Sequence, residues 1–153
     1  MRGFATYSDW APDWSPAEDL DAQQRAGWAR SLAQPDRWTA VVEAHSRIAA
    51  VCSFGPAMTA PAGEGEPIPG MAHVGAVFVD REWWGRGIAR ALLLAATEEI
   101  AARGFQRARL IVPEGHERAR RLYARNGWQT VGPWHDERLQ LPLLELRLPL
   151  GRR

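Results

Sequence analysis

The stretch that decides the fold runs from residue 77 to residue 93 and reads VFVDREWWGRGIARALL. The apolar run up to Val79 is typical of a buried strand, and Trp84-Gly85-Arg86-Gly87 predicts a tight turn. From about Ile88 to Arg103, apolar residues recur at fourfold spacing, which predicts an amphipathic helix that ends before Gly104. This order of strand, glycine turn and helix indicates the first part of a βαβ unit.

A further strand over residues 108–112 completes this βαβ unit. Such a crossover makes its two strands parallel and is almost always right-handed. Residues 72–79 form the buried strand that opens the unit, and the runs 38–43 and 48–54 predict a hairpin before it. Residues 55–70 are rich in Pro, Gly and Ala, so we predict a loop there.

The sequence predicts two more helices and a final strand. Ser15-Pro16-Ala17-Glu18 is typical of a helix start, and that helix is expected to reach about Ala33. Another helix covers residues 116–125, and alternating leucines over 144–148 predict the last strand. Together the elements predict one α/β domain over residues 1–153, with a mixed, mostly antiparallel sheet that carries one parallel βαβ pair.

Composition narrows the class of protein. The chain has 153 residues, with 19 Lys plus Arg against 18 Asp plus Glu, and its formal net charge is +1. Proteins held by nucleic-acid backbones need a larger basic excess, so we expect no nucleic-acid partner. Cys52 has no second cysteine with which to pair, and no long apolar segment resembles a signal peptide or a membrane helix. We therefore expect a cytoplasmic protein without a membrane partner.

The glycine turn suits a phosphate group. Gly85, Gly87 and the small Ala89 allow a ligand to approach the backbone at the positive end of the helix dipole, where amides are unpaired. Arg90 occupies a position that the dinucleotide-binding fingerprint reserves for a small residue, and no P-loop lysine follows. Hydride and ATP chemistry therefore lose support. The alternative is a tight turn that binds nothing.

A second motif, ARRLYARNGW at residues 119–128, follows the first one. The two motifs in this order resemble the GNAT superfamily of acyl-CoA N-acyltransferases, and the resemblance extends from Arg37 to about Leu150. It implies a GNAT-like fold with a splayed cofactor cleft. It also implies an enzyme that moves an acetyl group from acetyl-CoA directly to a primary amine of a small molecule or peptide, with no acyl-enzyme and no metal.

The resemblance also implies which residues hold coenzyme A. The turn over 84–89 corresponds to the family's pyrophosphate motif, although Trp84 replaces its usual Arg or Gln. The backbone of Val77 to Val79 is expected to pair with the pantetheine arm, and His116 stands where many members have an Asn. The expected cofactor-binding residues are Val77, Phe78, Val79, Trp84, Gly85, Arg86, Gly87, Ile88, Ala89, Arg90 and His116.

Two residues are candidates for proton transfer. Tyr123 occupies the tyrosine position of the second motif, so we expect it to protonate the departing thiolate. His73 lies on the strand beside the acyl site and matches a histidine of arylalkylamine acetyltransferases in this superfamily, which implies a general base; a water relay is the alternative. A backbone amide near Val79 is expected to stabilise the oxyanion. The basic run from Arg118 to Arg125 is either a solvated face or a contact to the 3′-phosphate of coenzyme A.

Three expectations remain open from the sequence. Relative to the family, the sequence is expected to begin late, either because the first strand is absent or because the N-terminus is truncated; an exposed sheet edge would then favour homodimers. A non-catalytic coenzyme-A-binding or protein-interaction module on the same fold is the alternative function. A nucleotide-binding domain that uses the same glycine turn is a further alternative function.

Overall fold

The computed structural model describes residue 26, residues 29–60 and residues 64–151. The expected helix from residue 16 to about residue 33 lies largely outside this part of the chain, and residues 29–32 are helical. The strands are β1 (Trp38–Ala44), β2 (Arg47–Met58), β3 (Pro67–Val79), β4 (Arg107–Pro113), β5 (Gln129–Trp134) and β6 (Leu143–Pro149). The helices are α1 (Ile88–Ala102) and α2 (Glu117–Arg125), and Arg81–Trp83 forms a single 3-10 turn.

The six described strands form one sheet in the order β1-β2-β3-β4-β6-β5. The pair β3 and β4 is parallel and the other neighbours are antiparallel. α1 connects the two parallel strands, so the βαβ unit expected from the sequence is present. The predicted fold class, a mixed and mostly antiparallel sheet with one parallel pair, is confirmed.

The two parallel strands part halfway along their length. Register pairs join Met71 to Val74 with Arg107 to Leu110. Beyond these pairs, β3 continues to Val79 and β4 to Pro113 without further pairing between them in the described chain. A wedge therefore opens at the carboxyl end of both strands. We call it the β3–β4 wedge.

The two faces of the sheet differ in chemistry. Strand alternation places Phe54, Val74 and Leu110 on the face that packs against α1, where Leu93 and Ile100 are also buried. The same alternation puts polar side chains on the opposite face. We call this surface the polar face, and it carries Thr39, Ser53, His73, Arg109, Glu145 and Arg147.

Two predictions about the strands are wrong. Residues 55–70 are not a single loop, because β2 extends to Met58 and β3 begins at Pro67. Pairing of Gly55 with His73 and of Pro56 with Ala72 overrides the low strand propensity of Gly and Pro, and a bulge lies between Pro56 and Met58. β5 was also missed, since its Gly132 and Pro133 interrupt the pattern of alternation and pair only through an irregular register with β6.

Candidate active site

The turn before α1 has the geometry of an anion site. Gly85 and Gly87 have φ values of 75° and 76°, in the left-handed region that glycine adopts without strain. Gly87 is the N-cap of α1 and supplies no side-chain cap, and the first turn of this helix contains no acidic residue. The first amides of α1 therefore keep their hydrogen-bonding capacity and the positive helix end for a ligand.

Trp84 is built into this turn by two contacts. Its indole Nε1 donates to the carbonyl oxygen of Val79 at 2.9 Å, which ties the turn to the end of β3. The guanidinium of Arg118 lies 4.4 Å from the centre of its ring, a cation–π distance. Arg118 belongs to the first turn of α2, so its contact with the Trp84 ring holds a cation from α2 next to the glycine turn. An Arg or Gln at this position could not provide the same stacking surface.

Arg86 lies beside the same turn but contacts a different ring. Its guanidinium is 4.5 Å from the centre of the Trp83 ring, and Trp83 in turn packs near His45 of the β1–β2 turn. Arg90 is exposed in the first turn of α1. The predicted cofactor-binding residues from Trp84 to Arg90 therefore form one continuous surface at the helix start, and Ile88 contributes by packing against the core.

The backbone at the end of β3 offers donors and acceptors to the wedge. The amide of Asp80 donates to the carbonyl of Ala49, and the register pairs Phe78 with Val51 on the same side. The amide and carbonyl groups of Val77 and Val79 therefore point the other way, toward β4. Since Trp84 occupies the Val79 carbonyl, Val77 and the Val79 amide are the groups left to pair with a ligand in the wedge.

His116 caps α2. Its Nδ1 accepts a hydrogen bond from the amide of Ala119 at 3.3 Å, and burial lowers the pKa of the imidazole. The neutral ring is the form that can accept this bond, because a protonated imidazole has no lone pair. The capping role accounts for a histidine at the start of α2, and the contact of His116 with coenzyme A stays a prediction.

Tyr123 is buried in the core-side cluster that also contains Val74 and Val112. Its ring packs edge-on against Trp128, with centroids 6.2 Å apart. Val74 is the last β3 residue before the wedge. Tyr123 belongs to the same core cluster, so its side chain lies on the core face of the sheet. The two aromatic residues of the second motif thus fix each other in position.

His73 lies on the polar face, on the opposite side of β3 from Tyr123. Nε of Arg109 donates to its Nδ1 at 3.2 Å. Burial first, and then the charges of Arg109 and Arg37, lower the pKa of His73 to about 3. A neutral imidazole that accepts at Nδ1 carries its proton on Nε2, so neither nitrogen is a free base in this arrangement.

The same shift links His73 to stability. The unfolded chain binds a proton at this imidazole below its ordinary pKa of 6.5, whereas the folded protein binds it only near pH 3. Unfolded chains therefore hold more protons in this interval, and the free energy of unfolding from this group rises with pH between about 3 and 6.5.

Arg37 and Arg109 were not singled out as site residues from the sequence, yet both act on His73. The guanidinium of Arg109 lies 4.9 Å from the centre of the Trp134 ring, and Arg109 is only 5% exposed. One signal could have found it: Arg109 stands between Ala108 and Leu110 in a strand that is otherwise apolar after Arg107, and a buried charge requires partners.

Other groups in the described chain offer no competing chemistry. Cys52 is buried, and desolvation raises the pKa of its thiol to about 12, so it is not a nucleophile near neutral pH. Among the described residues, no group of three or more His, Cys, Asp or Glu side chains could hold a metal ion. The described helices include none with the length and apolar character needed to cross a membrane.

Comparison with known proteins agrees with this fold. The profile of the acetyltransferase (GNAT) family matches residues 4–128. The chain therefore belongs to the acetyltransferase (GNAT) family, and the predicted family and acetyltransferase class are confirmed. No curated protein matches the sequence significantly.

Several solved structures share the fold. The PaiA N-acetyltransferase of Thermoplasma acidophilum in complex with coenzyme A has a TM-score of 0.68 at 15% identity, over 95% of this chain and 86% of that one. The N-acetyltransferase of Staphylococcus aureus Mu50 gives 0.67 at 20% identity, over 84% and 77%. The ribosomal-protein-S18-alanine N-acetyltransferase of Escherichia coli gives 0.66 at 17% identity, over 92% and 93%.

Proposed function

We propose that this protein transfers the acetyl group of acetyl-CoA directly to a primary amine of a small molecule or peptide. The observation that carries the proposal is the position of the β3–β4 wedge: it opens at the end of β3, next to the uncapped glycine turn that precedes α1. A phosphate-bearing thioester needs these two features together. The turn binds the pyrophosphate, and the wedge accepts the extended arm that carries the acyl group.

The two faces of the sheet divide the chemistry. Tyr123, from α2, packs on the core face of the sheet, and His73 of β3 lies on its polar face. In the proposed reaction the amine approaches from the polar face, the Val79 amide donates to the developing oxyanion, and Tyr123 protonates the sulfur as the C–S bond breaks. Thiols have a pKa of about 8.5, so this acid needs to assist only modestly.

Deprotonation of the amine is assigned to water. An alkylamine with a pKa of about 10.4 is almost entirely protonated at neutral pH, so its proton must leave before attack. His73 donates from Nε2 and therefore orients a water molecule or the acceptor rather than removing the proton. The sequence left open a general base and a water relay. The proposal adopts the water relay and gives His73 a positioning role.

A pH–rate profile tests this role. We expect His73→Gln to leave the acidic limb of kcat/KM unchanged between pH 5 and 8, because a group with a pKa of about 3 does not titrate there. The absolute rate is expected to fall, since the Arg109 contact is lost. A shift of the limb in the variant would show that His73 is the titrating base.

A thiol-release assay tests the proposed function itself. The protein is incubated with acetyl-CoA and a panel of amines, and free coenzyme A is followed with a thiol reagent. We expect release that depends on the amine. Binding of acetyl-CoA without amine-dependent release would instead support a coenzyme-A-binding module. If ATP or NAD protects the protein against thermal unfolding more strongly than acetyl-CoA does, the result would support a nucleotide-binding domain.

A further inference from the structure

We propose that the acceptor carries a carboxylate in addition to its amine, and that Arg37 and Arg109 hold this carboxylate on the polar face beside the β3–β4 wedge. The inference rests on the proposed function and narrows its substrate class. It starts from two guanidinium groups that converge on His73.

Arg109 is held in place without a carboxylate of its own. Its Nε donates to His73, its Nη2 donates to the carbonyl of Met58 at 3.3 Å, and its face stacks on Trp134. Within the described part of the chain, Nη1 makes no hydrogen bond. A buried guanidinium fixed by neutral partners keeps its full charge and a directed donor for an anion.

Arg37 approaches from the other side of His73. Its Nη1 lies 3.4 Å from the hydroxyl of Ser53, whereas its Nε is buried and has no hydrogen-bond partner among the residues that the structure describes. Buried donors without a partner are uncommon in proteins, and a bound carboxylate is one way to satisfy this one. Burial also lowers the pKa of this guanidinium, and the charge of the neighbouring Asp36 opposes this only in part.

Glycines make room for this arrangement. A Cβ at Gly55 would lie 3.1 Å from Nη2 of Arg37, so a larger residue there would crowd the guanidinium where it lies against the sheet. A Cβ at Gly75 would contact both Nη1 of Arg37 and Cδ2 of His73 at 3.8 Å. Arg37 and His73 thus both lie close to Gly75, which is exposed.

The charges around this site favour an anion. The cations are Arg37, Arg109 and Arg147. Glu145 is the carboxylate near Arg109, but Arg147 binds its Oε1 through two nitrogens, at 3.1 and 3.0 Å. Asp36 affects Arg37 and is itself exposed. His73 is neutral, so three cations face one engaged carboxylate and one solvated carboxylate among the described residues.

The proposed carboxylate site lies close to the point where the β3–β4 wedge opens. His73 pairs with Arg109 one residue before the last register pair, Val74 with Leu110, where the wedge opens. A carboxylate held here is on the same face as the proposed entry of the amine. Trp134, which supports Arg109, also lines an open cleft of about 800 Å³, whose other lining residues include Glu114, Asp136 and Glu137. The remainder of the acceptor can extend into this cleft.

Matched acceptors test the proposal by activity. Each amino acid of a panel is compared with its carboxamide, which keeps the amine and loses the negative charge. We expect kcat/KM for the acids to exceed that for the amides by about tenfold or more, and Arg37→Gln and Arg109→Gln to remove most of this preference. Arg107→Gln, on the same strand but at its start, is the control and is expected to keep it.

A binding measurement separates this proposal from the proposed function. Quenching of tryptophan fluorescence by N-acetylphenylalanine and by its amide is followed without coenzyme A. We expect the acid to bind the wild type at least about tenfold more tightly than it binds Arg37→Gln, and the amide to bind both alike. Thermal unfolding checks that Arg109→Gln is folded; if it is not, Arg37→Gln carries the test.

The outcomes are distinct. Equal rates for acids and amides in the wild type, or a preference that survives both substitutions, would overturn the carboxylate site. Charge-dependent binding without amine-dependent thiol release would retain the site and overturn the proposed function. Amine-dependent thiol release with no preference for acids would retain the proposed function and overturn the carboxylate site.

Discussion

Replacing Tyr123 by Phe is expected to lower kcat by about 100-fold or more, because general acid catalysis contributes about 10² to 10⁴ in rate. The affinity for acetyl-CoA is expected to stay within about threefold, since no phosphate contact is lost. Phe keeps the ring that packs against Trp128 at 6.2 Å and fills the same buried volume. Steady-state kinetics with a fluorescence titration of acetyl-CoA measures both quantities.

The pH profile distinguishes acid catalysis from a structural role of Tyr123. The wild-type kcat is expected to fall on the basic side as the phenol loses its proton, and the Phe variant is expected to lack that limb. Trp128→Phe is the packing control, because it perturbs the same aromatic pair without removing the phenol. Unchanged turnover in Tyr123→Phe would refute the assignment.

Reversing the charge of Arg90 is expected to weaken acetyl-CoA binding by about 10- to 100-fold at low salt, and less as salt rises. Arg90 is exposed in the first turn of α1, where the glycine turn presents its amides. A glutamate there would face the pyrophosphate, yet it would interact favourably with the helix dipole. We therefore expect Arg90→Glu to lose affinity while its thermal stability is retained or slightly raised. Titration at two salt concentrations and thermal unfolding measure the two effects.

Arg107→Glu is the matched control for this experiment. It changes the net charge equally but lies at the start of β4, level with Met71 in the register and therefore about 25 Å along the sheet from Val79. We expect its affinity for acetyl-CoA to stay within about twofold of the wild type, since screening removes most of the interaction at that distance. Equal losses in both variants would show a general effect of charge and contradict a local pyrophosphate site.

The site could be predicted in part. The glycines of the turn, the helix after it and the motif that contains Tyr123 are contiguous in the chain, and their chemistry depends on neighbours a few residues away. His73 was found as a candidate, but its pKa depends on Arg109 and Arg37, which reach it from β4 and from the segment before β1. Such a shift has no local signature, because burial and distant charges produce it.

By itself the sequence determined the family, the βαβ unit and the glycine turn before α1, since periodicity, glycine positions and helix ends follow from local conformational preference. Only the tertiary structure decided which strands extend through Gly55 and Pro56, where β5 pairs, and that Trp84 holds Arg118 over the turn. It also decided that Arg37 and Arg109 act on a neutral His73 on one face of the sheet. Strand pairing and charge clustering join residues far apart in the chain, and their energies exist only once the sheet has formed.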